Sequence, residues 1–255
     1  MFRTAFIAGV VALACAPAWS HVSYTGRDFG SFTGLTNTSV TIANQAISGN
    51  FGWADATDAD WGDSHKARWF KFTLDNAADI TITAAAKANA TSSSVGGLVP
   101  AFSVYQGLAP ITVDAEGVSS LSYDTSASSM AWRATLPFAV EGVWNALGDF
   151  KIGNDAGVLG DLVHVGHSAD GLGALGDGSS DGLTSATFRL AAGTYSIVIG
   201  GNVYDAQNAG VPGNTGNFGL SATLSVSAVP EPSSVGLALA GALALSWTAR
   251  RRTAR

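Results

Sequence analysis

Cysteine is almost absent from this chain: the only one is Cys15, in a stretch that export would remove. The mature protein then has no thiol, which excludes disulfides and thiolate metal sites even in a compartment that permits them. Charge is also sparse, at 13% of residues, and the net charge of −6 understates the imbalance. Five of the 13 basic residues are Arg3, Arg250, Arg251, Arg252 and Arg255; without them and Glu231, residues 21–228 hold 8 basic against 18 acidic side chains, or about −10. Such a surface excludes nucleic acid as an expected partner and suits cations or neutral polysaccharide hydroxyls. No phosphate-cradling loop and no dinucleotide fingerprint occurs. The string Gly166-His167-Ser168-Ala169-Asp170 lacks the second glycine of a nucleophile elbow, and the acidic residues form no acid/base pair that spacing could nominate. An enzyme is therefore not expected.

What the chain does contain is most distinctive at its ends. Residues 1–20 carry Arg3, an apolar stretch from Ala5 to Ala16 and small residues at Ala18 and Ser20, the layout of a secretory signal peptide. Cleavage after Ser20 leaves His21 at the N-terminus; the alternative is lipoprotein processing at Cys15, with Ala12 where a lipobox has Leu. At the other end, Pro230-Glu231-Pro232 forms a stiff spacer, Ser233 or Ser234 can cap a helix, and an apolar run from Val235 to Ala249 leads into Arg250-Arg251-Arg252. That run as a helix reaches roughly 22 to 25 Å, short of a hydrocarbon core of about 30 Å. Its arginines would hold that end in the cytoplasm, leaving the preceding domain outside.

These three parts in this order resemble the PEP-CTERM sorting signal of exported Gram-negative proteins. The resemblance covers residues 229–255 and implies processing by an exosortase near Pro230, Glu231 and Pro232 after transient anchoring in the inner membrane. The expected destination is the cell surface or extracellular matrix, and the expected partners are the export machinery, the processing enzyme and extracellular polysaccharide.

Residues 21–228 are long enough for one domain with its own core. Gly and Ser/Thr are abundant, and short alternating runs recur between turn residues, which predicts an all-β fold. The clearest strand is Phe218 to Ser227, with Phe218, Leu220, Ala222, Leu224 and Val226 on one face. Further strands are expected at 39–42, 69–74, 80–85, 102–105, 187–190 and 195–200, all with antiparallel neighbours. Ala191-Ala192-Gly193-Thr194 reads as a tight hairpin between the last two, and 128–147 as a short helix. The strings Trp69–Leu74, Ile80–Thr83, Phe102–Tyr105 and Leu190–Ile197 resemble the strands of bacterial pre-peptidase C-terminal domains. That resemblance implies a single jelly-roll-like antiparallel β-sandwich without catalytic activity, interrupted here by a long insertion from about 107 to 185.

Three features could bind a ligand. Asp55, Asp58, Asp60 and Asp63 fall within nine positions, a density of hard oxygen ligands that suits Ca²⁺, although a solvated turn with Asp bonded to its own backbone has the same composition. The glycine- and aspartate-rich stretch 170–182 reads as a surface loop that could add ligands. At the mature N-terminus, the amine and imidazole of His21 with His65, His164 or His167 could form a copper histidine brace like that of polysaccharide monooxygenases, copper(II) favouring nitrogen in tetragonal geometry. Trp53 and Trp61 flank the acidic loop and could stack on sugars, against the plainer expectation that tryptophans fill the core. The expected role is a structural or adhesive envelope protein, with a polysaccharide- or metal-binding module as the alternative.

Overall fold

A computed structural model describes residues 22–54, 61–64, 66–110, 143–153, 159–203 and 216–228. Among them are the strands β1 (Asp28–Phe32), β2 (Thr38–Ser48), β3 (Trp61–Asp63), β4 (Arg68–Leu74), β5 (Ala78–Ala86), β6 (Pro100–Gln106), β7 (Val143–Asn145), β8 (Phe150–Gly153), β9 (Leu159–Ala169), β10 (Leu183–Leu190), β11 (Gly193–Gly201) and β12 (Asn217–Ala228). They form a six-stranded sheet in the order β1-β4-β11-β6-β9-β8, a four-stranded sheet in the order β10-β5-β12-β2, and the small pair β3-β7. The fold is all-β. Pairing is antiparallel except between β1 and β4, which run parallel.

Alternation explains how the two large sheets meet. On β12 the five apolar residues at every second position are all buried, and they meet Phe70, Phe72 and Leu74 of β4, Phe102 and Val104 of β6, and Ile197 and Ile199 of β11 in one core. Phe72 stacks on Tyr195 at 5.1 Å, and Phe29 on Phe70 at 5.6 Å. The outer face of the four-stranded sheet is hydroxylated, with cross-strand pairs Thr41–Thr223, Thr81–Thr187 and Thr83–Ser185 bonded at 2.7–2.9 Å. One face makes the core and the other meets water.

The six-stranded sheet is buried on both faces. Its second face carries Trp69, Ala101, Tyr105, Phe150, Leu162 and Val198, covered by Val22, Tyr24, Trp53, Trp144 and Ala146. Rings interlock there: Tyr105 meets Phe150 edge-on at 5.1 Å, and Trp69 meets Trp144 at 6.3 Å. Trp53, with 0% of its surface exposed, donates its indole N–H to Ser103 Oγ at 2.9 Å. It fills a core and cannot serve as an exposed sugar platform; Trp61 lies on β3 but its side chain is outside the described residues, as is Trp132.

Two local expectations are corrected. Residues 191–194 do not close a hairpin: β10 pairs with β5 in one sheet and β11 with β4 and β6 in the other, so the link crosses between sheets. Gly193 takes φ +155° in that arch, and the Tyr195 hydroxyl donates to Ala191 O at 2.9 Å, bracing the corner. The end of the expected helix over 128–147 is strand instead, Val143–Asn145 pairing with Trp61–Asp63; its remainder up to 142 lies outside the described residues. The leader, His21 and the whole sorting signal with Pro230, Glu231, Pro232, Arg250, Arg251 and Arg252 also lie outside them. Among the described residues no helix is long and apolar enough to cross a membrane.

Candidate metal centre

On a regular strand, residues three apart face opposite sides of the sheet. His164 and His167 on β9 escape that rule through a β-bulge. Opposite β6, Tyr105 pairs with His164, Val104 with Gly166 and Ser103 with His167, so Val165 is left over as an extra residue. Ser103 and Tyr105 are two apart on β6 and share its second face, and their two histidine partners are thereby brought to that face together. Gly166 turns the other way, toward the main core, where an added Cβ would lie 2.5 Å from Phe188 Cε1.

The two imidazoles lie 5.7 Å apart between ring centroids with planes inclined by 28°. His167 sits 5.7 Å from the Trp53 ring and His164 5.6 Å from Tyr105. These aromatic walls are themselves fixed. Trp53 Nε1–H donates to Ser103 Oγ, which donates in turn to Ala146 O at 2.6 Å, and the Tyr105 hydroxyl donates to Asn145 O at 2.5 Å. Asp149 Oδ1 accepts the backbone N–H of His164 at 2.7 Å, pinning the strand where the ring emerges.

Both histidines are half-buried, yet among the described residues His164 Nε2 and His167 Nδ1 are buried with no hydrogen-bond partner. A histidine serving only as core filling would normally satisfy its ring nitrogens. Burial pushes both pKa values below the usual histidine range; for His164 the neighbouring His167 adds to this and Asp149 partly opposes it. Neutral imidazole is the form that offers a lone pair to a metal. The orphan nitrogens, the neutral state and the shared face fit two ligands of a nitrogen-rich metal site. Indole nitrogens of Trp69 and Trp144 are also unpartnered, but these carry only a donor N–H and cannot ligate.

The other sequence candidates are distributed differently. Asp55, Asp58 and Asp60 lie outside the described residues, as do His21 and His65. Asp63 is on β3, where its carbonyl accepts the N–H groups of Lys66 and Ala67. In the stretch 170–182, the buried Asp170 carboxylate accepts Asp181 N–H at 3.1 Å and Gly182 N–H at 2.8 Å, and Asp177 accepts Ser179 N–H and Oγ–H, each at 3.1 Å. Those carboxylates hold their own loop. Among the described residues no group of three or more His, Cys, Asp or Glu side chains could hold a metal. Ser168 bonds Thr184 at 2.6 Å, on a strand position facing away from His167, so no serine–histidine dyad forms.

The sequence names His164 and His167 only as partners for His21. Their own signal is a pair of histidines three apart with a glycine between, and it becomes meaningful once a bulge is known to lie within it.

The fold and this pair define an all-β protein of two large sheets and a small one, with two half-buried imidazoles side by side on the second face of the larger sheet. No family model and no curated protein sequence matches the chain. Solved structures that resemble it include the following two. One is CorA, a surface-associated copper-binding protein of Methylomicrobium album BG8, at 18% identity and TM-score 0.43, covering 78% of this chain and 98% of that one. The other is MopE, a secreted protein of Methylococcus capsulatus in which an oxidized tryptophan facilitates copper binding, at 16% identity and TM-score 0.42, covering 79% and 87%. At such identities and TM-scores the likeness establishes nothing about what this chain binds.

Proposed function

We propose that this protein is an exported, non-catalytic β-sandwich that binds a copper ion through His164 and His167. The observation that carries the reading is the pair itself: two imidazoles turned onto one face by a bulge, each keeping a buried ring nitrogen unbonded among the described residues. Metal binding satisfies both nitrogens at once. With no thiolate available and imidazole the only donor type in the pair, copper is the first-row divalent ion such a site holds most tightly. Remaining positions are filled by water. Export is supported by the layout of residues 1–20 and by Pro230-Glu231-Pro232, the apolar run and the arginine cluster, which favour transit through the inner membrane and release at the cell surface.

Titration of the metal-free protein with copper and zinc tests the site. The expected outcome is about one copper per chain, bound more tightly than zinc, with an affinity loss of at least about tenfold, or 1.4 kcal/mol, in His164→Asn and in His167→Asn. Undiminished binding in the double variant would remove the proposal and direct attention to His21 and His65. Mass spectrometry of the protein from its native host tests the export route: a mature form beginning at His21 and lacking Val235–Ala249 is expected, and a retained hydrophobic tail would contradict processing.

A further inference from the structure

A second site is suggested by two cations that have no counter-charge among the described residues. On β4, Phe70, Phe72 and Leu74 point between the two large sheets, and Arg68 continues that row, paired across to the buried Ile199 of β11. Arg27, the residue before β1, lies close by: its Nε donates to Trp69 O at 3.1 Å, and its backbone carbonyl accepts Lys71 N–H at 3.0 Å. From the opposite sheet, Gln45 of β2 accepts a hydrogen bond from Arg27 Nη1 at 3.2 Å. Arg27, bonded to the main chain one residue from Arg68, and the Gln45 amide it contacts therefore lie toward the same end of the inter-sheet space as Arg68.

Neither cation has an acidic partner among the described residues. The three ion pairs there use Lys71 with Asp28, Lys151 with Asp161 and Arg189 with Asp79. Arg27 donates to main-chain oxygens of Ser23 and Trp69 and to Gln45, which gives it a bracing role. Arg68 makes one hydrogen bond, from Nη1 to its neighbour Ala67 O at 3.0 Å, which leaves most of its fork unused. In a domain where acidic residues outnumber basic ones by more than two to one, leaving these two unpaired is not a shortage of carboxylates. Burial lowers both pKa values, Arg27 to about 10 with the charge of Arg68 contributing, and a guanidinium keeps its proton in proteins. Two like charges partly removed from water are costly without an anion, and planar guanidinium forks match the oxygens of carboxylate, sulfate and phosphate.

We propose that Arg27, Arg68 and Gln45 form a binding site for a small oxyanion, free or borne on a sugar. Arg68 is the principal donor, Arg27 supplies the second positive charge, and the Gln45 amide orients Arg27. This site is separate from the histidine pair and stands or falls independently of it.

The test is calorimetry and thermal unfolding of the metal-free full-length protein with sodium sulfate, sodium phosphate and sodium glucuronate in separate arms, each against sodium chloride at equal ionic strength. At least one oxyanion is expected to bind saturably and raise Tm beyond the chloride control. Binding of sulfate or phosphate alone identifies an inorganic or ester-borne anion, and binding of glucuronate alone an acidic sugar. In Arg68→Gln the affinity should fall at least about tenfold while the unfolding temperature without oxyanion stays the same or rises, because an uncompensated charge has been removed. Arg27→Gln serves as a second variant if it folds. No response beyond chloride in all three arms, or an undiminished response in Arg68→Gln, overturns the proposal.

Discussion

Replacing Gly166 by alanine probes the link between the main core and the histidine pair. The new methyl carbon would lie 2.5 Å from Phe188 Cε1 and 3.2 Å from Cδ1, where carbon atoms normally rest about 3.5–4.0 Å apart. Phe188 cannot easily retreat, since its ring meets Phe102 edge-on at 6.4 Å and its backbone is paired with Ile80 of β5. About 1 Å of displacement must therefore be taken up by β9 at the bulge. Overpacking of this kind costs about 1–3 kcal/mol, and the restricted unfolded chain returns about 0.4–1 kcal/mol, for a net loss of about 1–2 kcal/mol. Urea unfolding should show an earlier midpoint at unchanged m-value. Copper affinity should fall as well, because displacing β9 at residue 166 moves the rings at 164 and 167 relative to one another. Phe188→Leu in the same chain should restore part of both losses, a coupling read by the double-mutant cycle. If Gly166→Ala is as stable as the parent and binds copper equally well, contact between the bulge and the main core does not position the histidines.

Acid should destabilise the metal-free protein through the same two residues. Both folded-state pKa values lie below the unfolded value of about 6.5, so between them the unfolded chain binds more protons. Their contribution is complete above pH 6.5 and falls away as pH drops through that window; the urea midpoint should decline less steeply there in His164→Gln/His167→Gln than in the parent, and parallel profiles would refute this. Asp170→Ala should cost about 2–3 kcal/mol by stranding the N–H groups of Asp181 and Gly182 beside a site only 1% exposed. Hydrogen exchange should then rise first in 171–182, and uniform protection there would show that the carboxylate does not organise that stretch.

The legible parts of the fold are those where burial follows one period. β12 reads directly from its alternation, since one face is core and the other is hydroxylated. β9 does not: Val163 and Val165 are 48% and 36% exposed while the half-buried positions 164 and 167 are histidines, so the apolar residues mark the wrong face. The bulge then shifts the period midway, and no property of Val165 announces that it will be unpaired. The misread hairpin at 191–194 has another cause. A short glycine-bearing link between two strands is common to a hairpin and to an arch between sheets, and only the pairing partners, distant in sequence, distinguish them. Arg68 illustrates the same limit, because an arginine opening a strand reads as a solvated end until Ile199 is found beside it.

Burial on both faces of the six-stranded sheet bears on what the histidine pair can do. A site on the solvent face of a sandwich would rest on side chains free to change rotamer, and binding would have to pay for ordering them. Here Tyr105, Trp53 and Ser103 are each buried and hydrogen-bonded, Asp149 holds the backbone at His164, and Gly166 packs against Phe188 from behind. The rings are thus confined before any ligand arrives, which lowers the entropic cost of binding and ties the spacing of the two nitrogens to the packing of the main core. The consequence is that affinity should respond to substitutions that never touch the metal, with Ser103→Ala, which breaks the chain from Trp53 to Ala146, weakening copper binding while leaving both ligands in place.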